Sequence, residues 1–213
     1  MELILIRHGR VASGERVFTP EGRSNPPLGE IGLAQAQRVV NRLEGKHVDA
    51  IYVSDLIRTH QTAEPLAKQR GITPIERPAW GEVYLGEFEG RSFASLLQEQ
   101  DPTYLKFLEQ RSWETFPGAE SDAQVRARIS QAMEEIEEAH PTETVAVFTH
   151  GGIINAALAI ALQADRMVLV SPENASVTSI WMRPKPPLVI TVNDTSHLDD
   201  RDPLRHGPIY EAR

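Results

Sequence analysis

Short apolar runs of four to six residues recur along the chain, at Leu3–Ile6, Ala50–Val53, Val145–Phe148, Val177–Met182 and Leu188–Val192. Runs of that length suit buried strands. Helical patterns lie between them. Glu30–Leu43 sets Ala36, Val39, Val40 and Leu43 on one face, with Gly45 as a stop signal. Asp122–Ala139 does the same with Val125, Ile129, Ala132, Met133 and Ile136, closing at His140-Pro141. Leu56–Arg70 and Ile153–Leu162 also read as helices, the second apolar nearly all round and so buried. Strands alternating with helices predict an α/β fold. The expected form is a three-layer sandwich with a mostly parallel central sheet and helices on both faces.

Composition narrows the function classes. At 213 residues the chain is one large domain, or a domain with an insertion. It has no cysteine, which excludes disulfides and thiolate metal sites. No apolar run approaches a membrane span, and LILI is too short for a signal-peptide core, so a cytoplasmic location is expected. A net charge of −8 argues against a broad nucleic-acid surface. A small anionic substrate stays compatible with it, because a few arginines override the global sign inside a pocket.

Two stretches far apart, LILIRHG and VAVFTHGG, share one form: a buried-looking strand ends and His-Gly follows at once. Ligands in open α/β sheets bind at the carboxyl ends of the strands. If both strands are central, His8 and His150 reach the same edge. A third His-Gly, in the tail tripeptide Arg205-His206-Gly207, follows an acidic segment and precedes Pro208, so it reads as a surface loop.

Further along, YVSDLIRTHQTAEPLA is a strand followed by a helix, with Arg58 in the first helical turn. A cation there suits an anion pocket, or else a surface pair with Asp55 or Glu64. The stretch WGEVYLGEFEG holds Glu82, Glu87 and Glu89 among aromatic residues, and composition does not choose a general acid among the three. The region from 77 to 117 breaks the strand–helix rhythm, with short helical pieces at Ser95–Gln100 and Tyr104–Glu109. It reads as a lid-like insertion over the active site. Its Trp80, Tyr84, Phe88, Tyr104, Phe107 and Trp113 would line a leaving-group pocket or form the insertion's own core. The tail from Asp199 is expected on the surface.

Taken in order, LILIRHG, PLGEIGLAQA, VSDLIRTHQTA, GEVYLGEFEG, PGAES, FTHGGIINA, NASVT and NDTSHL make nearly the whole chain resemble the histidine phosphatase superfamily. This is the group that includes cofactor-dependent phosphoglycerate mutases and many small phosphatases. The resemblance implies that His8 accepts the phosphoryl group, and that Arg7, Arg58 and His150 bind its oxygens with help from the backbone at Gly151. It implies Glu82 as proton donor, and Gly86, Glu89 and Gly90 as structural. It calls for no metal and no cofactor.

Three positions depart from the family pattern. Gly14 stands where many members have Asn, with Ser13 or Ser24 as substitutes for the missing contact. Gly29 stands for a usual Thr or Ser, and Asn155 for a usual Arg, which bears on the substrate's surroundings. The implied activity is metal-independent hydrolysis of a small phosphate monoester through phosphohistidine. The alternatives are a phosphoglycerate mutase, for which the chain is short, and a non-catalytic phosphate-binding module. Neither nucleic acid nor membrane is an expected partner. A homodimer through an edge strand stays open.

Overall fold

The computed structural model describes residues 1–12, 17–183 and 185–198. Twelve helices and strands follow in chain order: β1 (Glu2–Arg7), α1 (Glu30–Arg42), β2 (Ala50–Val53), α2 (Ile57–Arg70), β3 (Ile75–Glu76), α3 (Phe93–Gln98), α4 (Pro102–Gln110), α5 (Asp122–Ala139), β4 (Thr144–Thr149), α6 (Gly151–Ala161), β5 (Val177–Trp181) and β6 (Leu188–Asp194). The six strands form one sheet in the order β3-β2-β4-β1-β5-β6. The pairs β3–β2, β2–β4 and β4–β1 are parallel, while β5 runs antiparallel to both β1 and β6.

Side-chain alternation along the strands explains the layers. Leu3, Leu5, Val145 and Val147 point to one face, where α5, α6 and the insertion pack. Ile4, Ile6, Ala146 and Phe148 point to the other, against Val39, Val40 and Leu43 of the α1 side and Ala63 and Leu66 of α2. A strand buried on both faces must be apolar at every position, which is why these runs do not alternate with polar residues. The sandwich and its mostly parallel sheet are as expected.

Local signals set the helix boundaries. At the start of α5, the Ser121 hydroxyl accepts from Gln124 N–H (3.1 Å), and the Gln124 side chain accepts from Ser121 N–H (2.8 Å). This reciprocal pair satisfies two N–H groups that the helix itself cannot. The helix expected from Ile153 begins two residues earlier, at Gly151, directly after β4. The short helices of the insertion fall at Phe93–Gln98 and Pro102–Gln110, and the two-residue strand β3 was not foreseen.

The aromatic residues of the region from 77 to 117 are core, apart from the half-buried Tyr84. The rings of Phe88, Phe93, Tyr104, Phe107, Trp113 and Phe116 meet at 5.0–6.0 Å, continuous with the α5–α6 side of the sheet. Trp80 and Tyr104 are each only 1% exposed, so neither lines an open pocket. The tail with its Arg205-His206-Gly207, and Ser13 and Gly14 in the first long loop, lie outside the described residues. Among those described, no helix is long and apolar enough to cross a membrane.

Candidate active site

Register brings the two His-Gly segments together. Arg7 at the end of β1 pairs with Thr149 at the end of β4, so His8 and His150 leave the sheet side by side. His8 N–H donates to Thr149 O (2.9 Å), and the two imidazole centroids are 5.2 Å apart. The main chain of His8 is fixed from the other side by Asn174, whose amide donates to His8 O (3.0 Å). Thr62 of α2 accepts from Gly9 N–H (3.0 Å).

The His8 ring has a defined tautomer. Its Nδ1 lies 2.8 Å from Gly9 O, and a carbonyl only accepts, so Nδ1 carries the proton and Nε2 keeps its lone pair. Burial holds the imidazole well below the usual histidine range, and the Arg58 and Arg7 charges push it the same way. Both effects favour the neutral ring, with a lone pair on Nε2. His150 is also held well below that range, again by burial first and then by Arg58. Its Nε2 meets the Ser54 hydroxyl at 2.9 Å, while its Nδ1 is buried with no protein partner.

Guanidinium groups surround the imidazoles. Arg58, 7% exposed in the first turn of α2, donates through Nη1 to Ser24 O (2.9 Å). It forms no ion pair with Asp55 or Glu64; Glu64 pairs instead with Lys68. Burial pushes its pKa down to about 10, so it stays charged at neutral pH. Arg7 donates through Nη1 to Pro172 O (2.6 Å), and its Nε is buried without a partner, facing Gly151. A third guanidinium, Arg23, also lacks a partner at Nε and hooks Nη2 onto Glu82 O. Its charge reaches both His150 and Arg58. Sequence reasoning missed Arg23, because it sits in an irregular loop with no periodicity to mark it.

Geometry separates the three glutamates. Glu89 is committed to two main-chain donors, Ser24 N–H and Leu85 N–H (both 3.1 Å), and Glu87 is exposed. Glu82 is near enough for its charge to act on Arg7 and Arg58, and its Oε1 accepts from Gly152 N–H at the start of α6 (3.1 Å) and from Val83 N–H (2.9 Å). A Cβ at position 152 would fall 2.5 Å from that oxygen, so only glycine admits the carboxylate. Gly152→Ala is expected to displace the Glu82 carboxylate and, should that group be the proton donor, to cut kcat/KM about 100-fold, the low end of what a positioned general acid contributes, with an unchanged circular dichroism spectrum.

The three departures have local explanations or fall outside the described residues. Ser24 contributes its main chain, taking Arg58 on its carbonyl and giving its N–H to Glu89. At Gly29 a Cβ would lie 3.2 Å from Ala12 Cα, so a Thr or Ser there would require the neighbouring loop to give by a few tenths of an ångström. Asn155 is buried, at 3% exposure. Its amide donates to Gly151 O and Val170 O (both 3.0 Å) and accepts from Leu169 N–H (2.8 Å) and Val170 N–H (2.9 Å). All four valences of the amide are used in stapling α6 to the next loop.

A buried cluster with an oriented imidazole nitrogen, arginines that form no ion pair with a carboxylate among the described residues, and a carboxylate beside them has the chemistry to hold a phosphate group. The family model of the histidine phosphatase superfamily (branch 1) matches residues 3–195, and the chain belongs to that superfamily. It is 30% identical to a metal-independent phosphoserine phosphatase of Arabidopsis thaliana, over 97% of this chain and 87% of that protein. It is 29% identical to phosphoserine phosphatase 1 of Hydrogenobacter thermophilus, over 94% and 95%. A probable phosphoglycerate mutase, GpmB of Yersinia pestis, is 27% identical over 93% and 95%. Among solved structures, Bacillus stearothermophilus YhfR superposes with a TM-score of 0.79 at 26% identity, covering 93% of this chain and 99% of that one. The chain is an enzyme of the phosphatase kind that this family comprises.

Proposed function

We propose that the protein is a metal-independent phosphomonoesterase working through phosphohistidine at His8, with a small carboxylate-bearing monoester such as phosphoserine as the first substrate to test. The observation that carries this is the set of unpartnered buried nitrogens, Arg7 Nε and His150 Nδ1, beside the free Nε2 of His8. Buried donors without partners are costly, and an anion seated among them repays that cost. Three guanidinium charges at the same place repel a divalent cation, which supports a route without metal.

In the first step His8 Nε2 attacks phosphorus, and the bond to the ester oxygen breaks. Glu82, entering as the acid, gives its proton to the departing alkoxide. Arg7, Arg58 and His150 stabilise the charge spread over the transferring group. With Ser54 O–H donating to His150 Nε2, the proton of His150 sits on Nδ1 and points an N–H at the phosphate. In the second step Glu82, now a carboxylate, takes a proton from water as that water attacks phosphorus. The P–N bond breaks, His8 is restored and inorganic phosphate leaves.

The relatives named as phosphoserine phosphatases support the hydrolytic reading and the choice of substrate. Length does not separate it from a mutase, since the alignment spans 95% of the Yersinia protein. An assay with EDTA present settles the matter, using p-nitrophenyl phosphate, O-phosphoserine and a panel of sugar phosphates, beside interconversion of 2- and 3-phosphoglycerate. Release of inorganic phosphate in EDTA is the expected result. Interconversion without phosphate release would establish the mutase instead, and binding of phosphate without either reaction the silent module.

A further inference from the structure

Glu82 is carried on a segment that belongs to no regular element, between the 3₁₀ turns Pro78–Trp80 and Gly86–Phe88. An irregular segment has no ladder to hold it, so its carbonyls must be satisfied from elsewhere. Four successive carbonyls, two at the end of the first turn and two in the irregular segment, each accept from a side chain distant in sequence. Arg128 Nη1 donates to Ala79 O (2.6 Å) and Gly81 O (3.0 Å), Thr149 Oγ1 to Trp80 O (2.7 Å), and Arg23 Nη2 to Glu82 O. Beyond Glu82, Tyr84 N–H donates to Glu120 Oε2 (3.2 Å), and Tyr84 O accepts from Glu120 N–H (2.9 Å).

The two outer clamps are one unit. Arg128 of α5 and Glu120, just before that helix, form a two-pronged pair: Nε to Oε1 at 2.9 Å and Nη2 to Oε2 at 2.7 Å. Both side chains are 23% exposed. The pair therefore grips the segment on both sides of Glu82 and anchors it to an 18-residue helix on the sheet's flank. Planar, two-pronged geometry fixes direction as well as distance, which a single ammonium does not. Among the described residues, neither member hydrogen-bonds to His8, His150, Arg7 or Arg58.

We infer that the Glu120–Arg128 pair is the positioning device for the proton donor: it sets where the Glu82 carboxyl stands over the departing ester oxygen. This rests on the reading of Glu82 as general acid. The pair touches no reacting atom and acts only through the backbone it holds.

Leaving-group dependence tests it. A p-nitrophenolate departs as an anion with little need of a proton, whereas an alkoxide needs one. The measured quantity is kcat/KM, which covers phosphoryl transfer to His8 and excludes the later hydrolysis of phosphohistidine. Arg128→Gln is expected to lower kcat/KM about 10- to 100-fold on an alkyl monoester of the panel and less than about 3-fold on p-nitrophenyl phosphate. Arg128→Lys, keeping charge without the fork, should recover only part of the loss. Glu120→Gln keeps the shape and the acceptor for Tyr84 N–H, and carries the same test should Arg128→Gln fail to fold.

Equal loss on both esters, or no loss on either, in a variant with wild-type thermal melting would overturn the inference. Glu82→Gln, assayed alongside, must show the same split more strongly. If it shows none, the reading of Glu82 itself fails. If Glu82→Gln splits the two esters and the folded pair variant does not, only the positioning role falls.

Discussion

Replacing His8 by alanine is expected to lower kcat on p-nitrophenyl phosphate by about 10⁴-fold or more, the order seen when a covalent nucleophile is removed. The residual rate would come from the arginines alone, which still bind and polarise the phosphate but offer no attacking atom. The same variant should lose the trapped intermediate. Wild-type protein quenched during turnover of a radiolabelled ester should carry an acid-labile, alkali-stable label that His8→Ala lacks. Loss of the His8 Nδ1–Gly9 O bond costs the fold on the order of 1 kcal/mol, so the variant should remain folded and still bind inorganic phosphate. His206→Ala serves as control and should keep full activity, because its tripeptide has none of the strand context that precedes His8. Full phosphatase activity in His8→Ala, or its abolition by chelation in the wild type, would overturn the mechanism.

Why His8 and His150 could be picked from sequence, and other residues not, follows from what kind of information each carries. The strands β1 and β4 are apolar at every position between their polar ends, which marks them as central and buried on both faces. Once two such strands are neighbours in parallel, the residues that follow them meet at one edge whatever the rest of the chain does. Glu82 was legible only through family resemblance. Its selection over Glu87 and Glu89 depends on the Gly152 N–H that it meets, a contact of 70 positions in sequence separation that composition does not encode. Arg23 sits in a short bridged turn, where Thr19 N–H donates to Arg23 O (2.8 Å), but its guanidinium is placed by a distant group, Glu82 O. At Asn155 the sequence shows only a departure from the family's usual Arg; which contacts the residue makes is tertiary information, its side chain turning back to close the helix against residues 169 and 170. The aromatic insertion could not be assigned by count either, since the same residues serve a core or a pocket. The ring contacts decide for the core.

Arg58→Met is expected to lose about 10²- to 10³-fold in kcat/KM, the scale of one preorganised donor removed from a developing anion. Arg58→Lys should recover little, because one ammonium cannot both hold Ser24 O and present a planar pair of N–H groups to the phosphate. The pH profile should move as well. The Arg58 charge helps to hold both His8 and His150 below the usual histidine range. Removing a cation makes the protonated imidazole less costly, so both groups rise, and the acidic limb of kcat/KM should shift to higher pH. A shift to lower pH would contradict the field assigned to Arg58. Stability should change in the opposite sense to activity. Arg58 is a buried cation with no ion pair among the described residues, and its pKa is depressed by burial in spite of the Glu82 and Glu89 charges, which records the burial cost. An apolar side chain of similar length avoids that cost, so the melting temperature of ligand-free Arg58→Met should equal or exceed that of the wild type. Inorganic phosphate should raise the wild-type melting temperature and leave the variant's nearly unchanged, since the stabilisation by a ligand follows its affinity for the folded state. A variant that melts early without phosphate would mean that the charge was serving the fold. One that melts late and fails to respond to phosphate would place the charge in the pocket, stabilised there only when an anion arrives.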